Sequence, residues 1–169
     1  MEVAAPAVAV GTATITTTEV VGTIALALAT AAEIEIVIVP DIYIDTGEGR
    51  KEVPVYLLSR TLFKHVAQNV ELGMSPLGGG HPNLLQRALD GMKIQRRRAA
   101  LRGFAAIEID SDYIEWDEYP FASTYQGGEG ASVSPCPPDE NWAQGQDLNY
   151  FYIANKLEDR DWFYVLVIP

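Results

Sequence analysis

The sequence predicts an α+β fold in which helices pack against a small mixed or antiparallel sheet. Alternating or unbroken apolar segments, which are typical of strands, occur at residues 33–39 (EIEIVIV) and 162–168 (WFYVLVI). Apolar residues recur at helical spacing over residues 55–72, and residues 83–101 and 143–157 also predict helices. Glycine- and proline-rich stretches separate these segments, so short strands and helices follow one another along the chain.

The composition is that of a globular chain with one main domain and an appendage. Of the 169 residues, 48% are hydrophobic and 21% are charged. The formal net charge is −11, which argues against a simple nucleic-acid binder because Lys and Arg carry most of the affinity for phosphate. The single cysteine, Cys136, excludes an internal disulfide and a thiolate zinc cluster.

Residues 1–76 are predicted to form an apolar leader with one strand and one helix. Residues 1–33 are rich in Ala, Val and Thr and indicate no regular element. The alternating segment that follows predicts the strand, and residues 45–49 predict a turn. The helix over residues 55–72 is expected to end at Gly73.

The amino-terminal segment does not have the pattern of a signal peptide or a membrane span. Its apolar run at residues 20–32 is shorter than the ~18 to 20 residues that a spanning helix needs. No basic residue precedes Arg50, so the basic region of a signal peptide is missing. We therefore expect no conventional signal peptide and no stable membrane insertion.

Residues 77–169 are predicted to form a separate domain that carries the chemistry. The domain begins with a glycine-rich stretch at residues 77–80, and Pro82 suits the first turn of its first helix, over residues 83–101. Its later elements are a turn, a short strand, a loop, a helix and a strand, at residues 127–130, 131–134, 135–141, 143–157 and 162–168.

The stretch EWDEYPFASTYQGG, at residues 115–128, places the carboxylates of Asp117 and Glu118 next to each other. Adjacent side chains of an extended chain point in different directions, so one carboxylate can hold a cation or orient a ligand while the other takes a proton from water. Pro120 fixes the backbone after the pair, and the neighbouring aromatic residues can anchor it in the core. Most carboxylates are simply exposed, so the pair by itself is weak evidence for a site.

Amide side chains crowd the loop and the helix that follow, among them Asn141, Gln144 and Gln146. Amide oxygens can ligate a hard metal ion, and amide nitrogens can bind phosphate oxygens. The alternative is ordinary helix-surface polarity, with Asn141 as the N-cap of the helix that it precedes.

A basic segment between Arg87 and Arg102 is the local exception to the acidic average, and it also contains Arg97 and Arg98. On a helix such residues can share a face that suits phosphate contacts. The alternative is a solvated face, or ion pairs with the acidic segment that follows. His81 can contact a substrate or cap a helix.

Seven short motifs follow one another between residues 81 and 168. They are HPNLL at 81–85, RRRAALRG at 96–103, DEYPFAST at 117–124, QGGEGA at 126–131, ENWAQG at 140–145, LNYFY at 148–152 and DWFYVLVI at 161–168. In this order they resemble the NucA/NucB-type deoxyribonucleases over about residues 78–169. The version with DEYPFAST, found at the carboxyl terminus of bacterial polymorphic (Rhs or contact-delivered) toxins, is the most similar.

The resemblance implies a ββα-metal-like nuclease core and a metal-dependent, sequence-nonspecific DNA endonuclease. Asp117 would be the base that activates water, and Glu118 would position it or assist the metal ion. Asn141 would lie near the cation, Mg²⁺ or Mn²⁺, together with Gln144 or Gln146. The residues that would contact the DNA substrate are His81, Arg97, Arg98 and Arg102.

The resemblance also implies a setting for the enzyme. The chain would be an antibacterial toxin domain, secreted or delivered into a target cell as part of a larger toxin, with a cognate immunity protein as its partner. Residues 1–76 would be a pre-toxin region. Two alternatives stay open, namely a non-catalytic acidic interaction module that binds a protein partner and an RNA-directed nuclease, because nothing in the sequence reads a 2′-hydroxyl specifically.

Overall fold

The computed structural model describes residues 24–30, 33–46, 49–104, 107–109 and 112–169. The chain divides into two compact units, of which the second runs from Tyr56 to Pro169. Most of the Ala-, Val- and Thr-rich segment predicted over residues 1–33 lies outside the described residues. Within the described part of the chain, no helix has the length and apolar character needed to cross a bilayer.

The first unit contains two antiparallel hairpins. These pair β1 (Ile24–Thr30) with β2 (Glu33–Val39), and β3 (Ile42–Thr46) with β4 (Gly49–Val53). The strand predicted at residues 33–39 is confirmed, whereas β1 was missed because alanine is a weak strand former. The turn predicted at residues 45–49 is wrong at its ends, which belong to strands, and residues 47 and 48 lie outside the described residues.

Among its described residues, the second unit contains two three-stranded sheets, three α-helices and a short 3-10 helix (Pro76–Gly78), which confirms the α+β class. The first sheet places β10 (Trp162–Ile168) between β5 (Val55–Ser59) and β6 (Leu84–Gln86). The second is antiparallel, in the order β7 (Ile107–Ile109), β8 (Asp112–Tyr119) and β9 (Ser132–Cys136). The helices are α1 (Lys64–Met74), α2 (Lys93–Ala100) and α3 (Pro138–Ala154).

The strand and the helix predicted near the carboxyl terminus are confirmed. The apolar run WFYVLVI forms the central strand β10, whose residues Phe163 and Val165 are almost fully buried. Helix α3 covers most of residues 143–157 but begins earlier, at Pro138, because proline suits a first turn and Asp139 favours the helix amino terminus. The loop predicted at residues 135–141 is therefore wrong for most of its length.

The prediction of one helix over residues 55–72 is wrong in its first part. Residues 55–59 form β5, in which Tyr56 and Leu58 are buried. Helix α1 begins only at Lys64. Side chains that are buried on alternate positions suit a strand beside β10, so the sheet overrides the helical spacing that the sequence shows.

The prediction of a helix over residues 83–101 is also wrong in its first part. Leu84 and Leu85 are buried in β6, where Leu85 lies opposite Phe163 of β10. Helix α2 follows only after Gly91, whose φ of 75° lies in the left-handed region and interrupts helical geometry.

The core of the second unit lies between α1, α3 and the strands of both sheets. Val66 and Val70 of α1 are fully buried and pack with Leu85, Tyr119 and Phe163. The division into a leader at residues 1–76 and a nuclease domain at residues 77–169 stays a prediction about function, but β5 and α1 belong to the second unit by their packing. This packing brings α1 against the strand that carries Asp117.

Candidate active site

The two predicted catalytic carboxylates lie near the end of β8, side by side along the strand. Asp117 is 3% exposed and Glu118 is 6% exposed, so both are buried acids. Successive residues of a strand face opposite sides, and the two side chains have different partners as the sequence predicted. Asp117 contacts Asn69 of α1, and Glu118 contacts Arg97 of α2.

The carboxyl of Asp117 is held by Asn69 of α1. Nδ2 of Asn69 donates to Oδ2 of Asp117 at 2.7 Å and to its backbone oxygen at 3.1 Å. Burial raises the pKa of Asp117 from its usual 3.8 to about 7, and the charge of Glu118 adds to the rise, while the Asn69 hydrogen bond and Arg97 oppose it. A carboxyl with a pKa near neutrality can take up and release a proton under physiological conditions.

Glu118 is paired with Arg97 of α2. Nη1 of Arg97 lies 2.5 Å from Oε2 of Glu118, and Nη2 donates to the backbone oxygen of Trp116 at 2.9 Å. Burial raises the pKa of Glu118, although Arg97 stabilises the charged form. The ion pair therefore offsets part of the cost of burying a carboxylate in this position.

The first turns of α3 bring amide side chains close to the two carboxylates. The alternative that Asn141 is the N-cap of α3 is wrong, because Pro137 holds that position and Asn141 lies within the helix. Its Nδ2 donates to Oε2 of Glu115 at 2.9 Å, so its amide oxygen is the end that can bind a cation. Gln144 is buried and donates to the hydroxyl of Tyr56 at 3.2 Å, whereas Gln146 is exposed.

A cavity of about 440 Å³ lies between β8, α2 and α3. Its walls carry six of the predicted site residues, which are Arg97, Asp117, Glu118, Asn141, Gln144 and Gln146. The structure thus brings together the residues predicted for catalysis and for the metal ion, while their chemical roles stay predictions.

Three of the predicted DNA-contacting residues lie away from this cavity. Arg98 and Arg102 are exposed to solvent and do not line the cavity. His81 packs against the turn at Gly79. Among the described residues, Nε2 of His81 has no hydrogen-bond partner although the atom is buried. Arg97 does lie at the cavity, but its guanidinium is engaged with Glu118.

The cavity also has residues that were not assigned to the site, including members of the basic segment that was predicted to suit phosphate contacts. Arg87 and Lys93 line the cavity, and the guanidinium of Arg87 lies 4.8 Å from the ring centre of Tyr152. Trp142 also lines it and is 69% exposed. Asn69 could have been found from sequence, because it is a polar residue on the apolar face of a predicted helix, where a buried amide requires a partner.

The donor groups at the cavity fit a hard divalent cation. Carboxylate and amide oxygens are the ligands that Mg²⁺ and Mn²⁺ prefer, and Mg²⁺ commonly takes one or two carboxylates and keeps several waters. Glu118 and the amide oxygen of Asn141 line the cavity and are the groups that would hold such an ion. Among the described residues there is no cluster of three or more His, Cys, Asp or Glu side chains that could hold an ion.

Buried acids and nearby arginines around one cavity of an α+β fold are typical of enzymes that act on anionic substrates. Residues 82–166 match the family model described as Deoxyribonuclease NucA/NucB. Because this match spans half of the chain, the protein belongs to the NucA/NucB deoxyribonuclease family, and it is a hydrolase that acts on DNA. None of the curated proteins compared with the chain matches it.

Family membership confirms the resemblance to the NucA/NucB-type deoxyribonucleases and indicates the general use of a divalent metal ion, while the similarity to the toxin-borne version stays a prediction. The match begins after α1, so Asn69 lies outside the matched residues although its side chain contacts Asp117.

Proposed function

We propose that this deoxyribonuclease is a metal-dependent endonuclease that cleaves DNA with little sequence preference and uses Asp117 as its general base. The observation that carries the proposal is the buried pair Asp117 and Glu118 on one cavity wall, with Arg97 as counter-ion. Acids that are buried beside a cavity, with a pKa raised by that burial, are typical of catalytic sites, which supports this use.

Three residues of the cavity have a defined part in the proposed reaction. Ionised Asp117 accepts a proton from the water whose oxygen bonds to phosphorus, the bond from phosphorus to the leaving oxygen breaks, and that oxygen takes a proton from solvent water. Glu118 is held by Arg97 and, with Asn141, supplies oxygen ligands. A bound divalent cation would polarise the scissile phosphate and stabilise the charge that develops on it.

Binding of the DNA backbone falls to the basic groups at the cavity. Arg87 is held in place by the ring of Tyr152 and by a hydrogen bond to the backbone oxygen of Leu157. Lys93 lines the same cavity and lies near Glu118, where its charge acts on that carboxyl. Contacts to phosphate do not distinguish one base from another, which supports cleavage with little sequence preference.

Chelation is expected to abolish cleavage. Purified protein should nick supercoiled plasmid in Mg²⁺ or Mn²⁺, lose this activity in excess EDTA and regain it when the metal ion is restored, because the donor set needs a cation to polarise phosphate. Relaxation of closed circular plasmid reports endonuclease action directly.

Two controls make this test specific. A thermal melt with and without EDTA shows whether chelation unfolds the protein, and structured RNA offered under the same conditions tests the RNA-directed alternative. Cleavage that survives EDTA would exclude the metal mechanism, and the absence of cleavage under every condition would favour the non-catalytic interaction module.

We further propose that the chain is a toxin domain, secreted or delivered into a target cell within a larger toxin and neutralised by a cognate immunity protein. The motif DEYPFAST and the Ala-, Val- and Thr-rich residues 1–33 support this setting through their resemblance to toxin sequences.

Expression of the wild-type chain in the bacterial cytoplasm is expected to stop growth and fragment the nucleoid, because chromosomal DNA is an accessible substrate. The variant Asp117→Asn, expressed to the same level, should leave growth and nucleoid intact. Microscopy of DNA-stained cells measures this difference. Equal growth of cells that express the active enzyme and the variant would contradict a toxic role.

A further inference from the structure

We propose that Asn69 is a positioning residue for Asp117, which sets the orientation of the general base from a helix outside the matched family region. The inference deepens the proposed function and rests on Asp117 being the base. It depends on three features of the structure, which are the burial of Asn69, the pattern of its hydrogen bonds and the anchoring of α1.

Asn69 occupies a core position of α1. It is 1% exposed and lies on the same helix face as Val66, Val70 and Gly73, all of which are buried. A buried amide that lacked partners would destabilise the fold by about 1–3 kcal/mol, whereas an apolar residue of similar size would fit this face without such a cost. Packing alone therefore does not account for an asparagine here.

Both ends of the Asn69 amide are engaged. Its Nδ2 donates to Oδ2 of Asp117 at 2.7 Å and to the backbone oxygen of Asp117 at 3.1 Å. Its Oδ1 accepts a hydrogen bond from Oγ of Ser132 at 3.0 Å, since an amide oxygen cannot donate. The two acceptors on Asp117, its carboxyl oxygen and its backbone oxygen, require the N–H end of the amide on their side, and Ser132 supports this orientation by donating to Oδ1.

This contact holds the carboxyl of Asp117 in one orientation on the cavity wall. Asn69 binds the side chain and the backbone of the same residue, so it restrains rotation of the carboxyl relative to β8. A base must keep its oxygen within about 3 Å of the attacking water, and a misplacement of about 1 Å can lower the rate about 10²-fold. Asn69 is buried behind Asp117 and does not line the cavity itself.

Helix α1 is itself tied to the helix that carries the amide groups of the site. Oε1 of Glu140 in α3 accepts from the backbone N–H groups of His65 and Val66, at 2.6 and 2.9 Å, and Oε2 lies 2.7 Å from Nδ1 of His65. The N-cap Phe63 makes no side-chain hydrogen bond, so Glu140 satisfies donors at the start of α1. The position of Asn69 is therefore linked to α3, where Asn141 lies.

The test is steady-state cleavage by Asn69→Leu and Asn69→Gln, with Gln68→Leu as the matched control. The Leu side chain is close in size to Asn but donates no hydrogen bond, so kcat is expected to fall about 10- to 100-fold while KM changes less than about twofold. Asn69→Gln keeps the amide donor and should recover part of the lost kcat. Gln68 is exposed at the preceding position of α1, so its substitution should leave both kcat and KM unchanged.

A second variant covers the case in which Asn69→Leu does not fold. Ser132→Ala removes the hydrogen bond to Oδ1 that supports the amide from its other end, and it is expected to lower kcat about 3- to 10-fold with KM unchanged, because the amide is then held less firmly against Asp117. Circular dichroism and a thermal melt establish that each variant is folded before its kinetics are compared.

The outcomes separate this inference from the proposed function. If Asp117→Asn abolishes cleavage but folded Asn69→Leu, or Ser132→Ala in its place, keeps the wild-type kcat, the positioning role of Asn69 is overturned and Asp117 remains the base. A loss that appears in KM rather than in kcat would also overturn it. If Asp117→Asn cleaves at the wild-type rate, the proposed base is wrong.

Discussion

Asp117→Asn is expected to lower the rate of DNA cleavage about 10²- to 10⁴-fold, which is the range that a positioned general base contributes. The new side chain has the same shape, and its amide oxygen can still accept the hydrogen bond from Asn69. The fold should survive because the shape and this hydrogen bond are kept. Cleavage should be lost because an amide cannot take a proton from water at neutral pH. Initial rates of plasmid nicking in Mg²⁺ measure the effect.

Asp41→Asn is the matched control, because it makes the same chemical change at an exposed position of the first unit. It should retain wild-type activity. A folded Asp117→Asn that cleaves within about twofold of the wild-type rate would show that another group activates the water, since general-base loss costs at least about 10²-fold.

The same substitution is expected to change how stability depends on pH. Because burial raises the pKa of Asp117 from 3.8 to about 7, the folded protein holds a proton between these values that the unfolded chain has lost. The free energy of unfolding of the metal-free protein should therefore fall as pH rises through this window. Urea denaturation in EDTA should show a weaker decline for Asp117→Asn, and identical pH profiles would contradict the raised pKa.

Arg97→Ala is expected to lower the free energy of unfolding by about 2–4 kcal/mol, because it leaves Glu118 buried without its counter-ion. The expected loss is below that of a fully buried pair, since the Arg97 side chain is 37% exposed and water screens part of the interaction. Cleavage should also fall, because Glu118 then has no fixed position at the cavity. Urea denaturation at neutral pH measures the stability change.

Arg98 provides the matched control, because it is the next residue of α2 and is exposed. Arg98→Ala should change stability by less than about 0.5 kcal/mol. In the double variant Arg97→Ala with Glu118→Gln, much of the lost stability should return, because no uncompensated charge stays buried. Equal stability of Arg97→Ala and Arg98→Ala would mean that the ion pair does not hold Glu118.

The elements predicted well are those whose pattern is local. The unbroken apolar run of β10 and the alternation of β2 identify strands directly, and the amide-rich helix α3 was found apart from its start. The prediction failed over residues 55–59 and 84–86, where short buried strands precede helices. Their leucines and valines satisfy helical spacing as well as a buried strand, and only pairing with β10 decides between the two.

The predicted site divides in the same way. The adjacent acids Asp117 and Glu118 and the amides of α3 were identified from residue type and motif, and the structure places them around one cavity. The basic residues were harder to assign, because a run of arginines does not show which of its members faces inward. Arg97 turns to Glu118, whereas Arg98 and Arg102 stay exposed.

The family and the α+β class could be predicted from the sequence, because ordered motifs and local apolar patterns indicate them. The different directions of the adjacent carboxylates could be predicted too, since they follow from the two-residue period of extended chain, although strand β8 itself was not predicted. The partners of the two carboxylates could not be predicted, because they depend on long-range packing. Asn69 and Asp117 are 48 residues apart, and Arg97 and Glu118 are 21 apart. Such contacts arise from the packing of α1 and α2 around β8, and the same packing removes the water that would otherwise keep the pKa of Asp117 near its usual value.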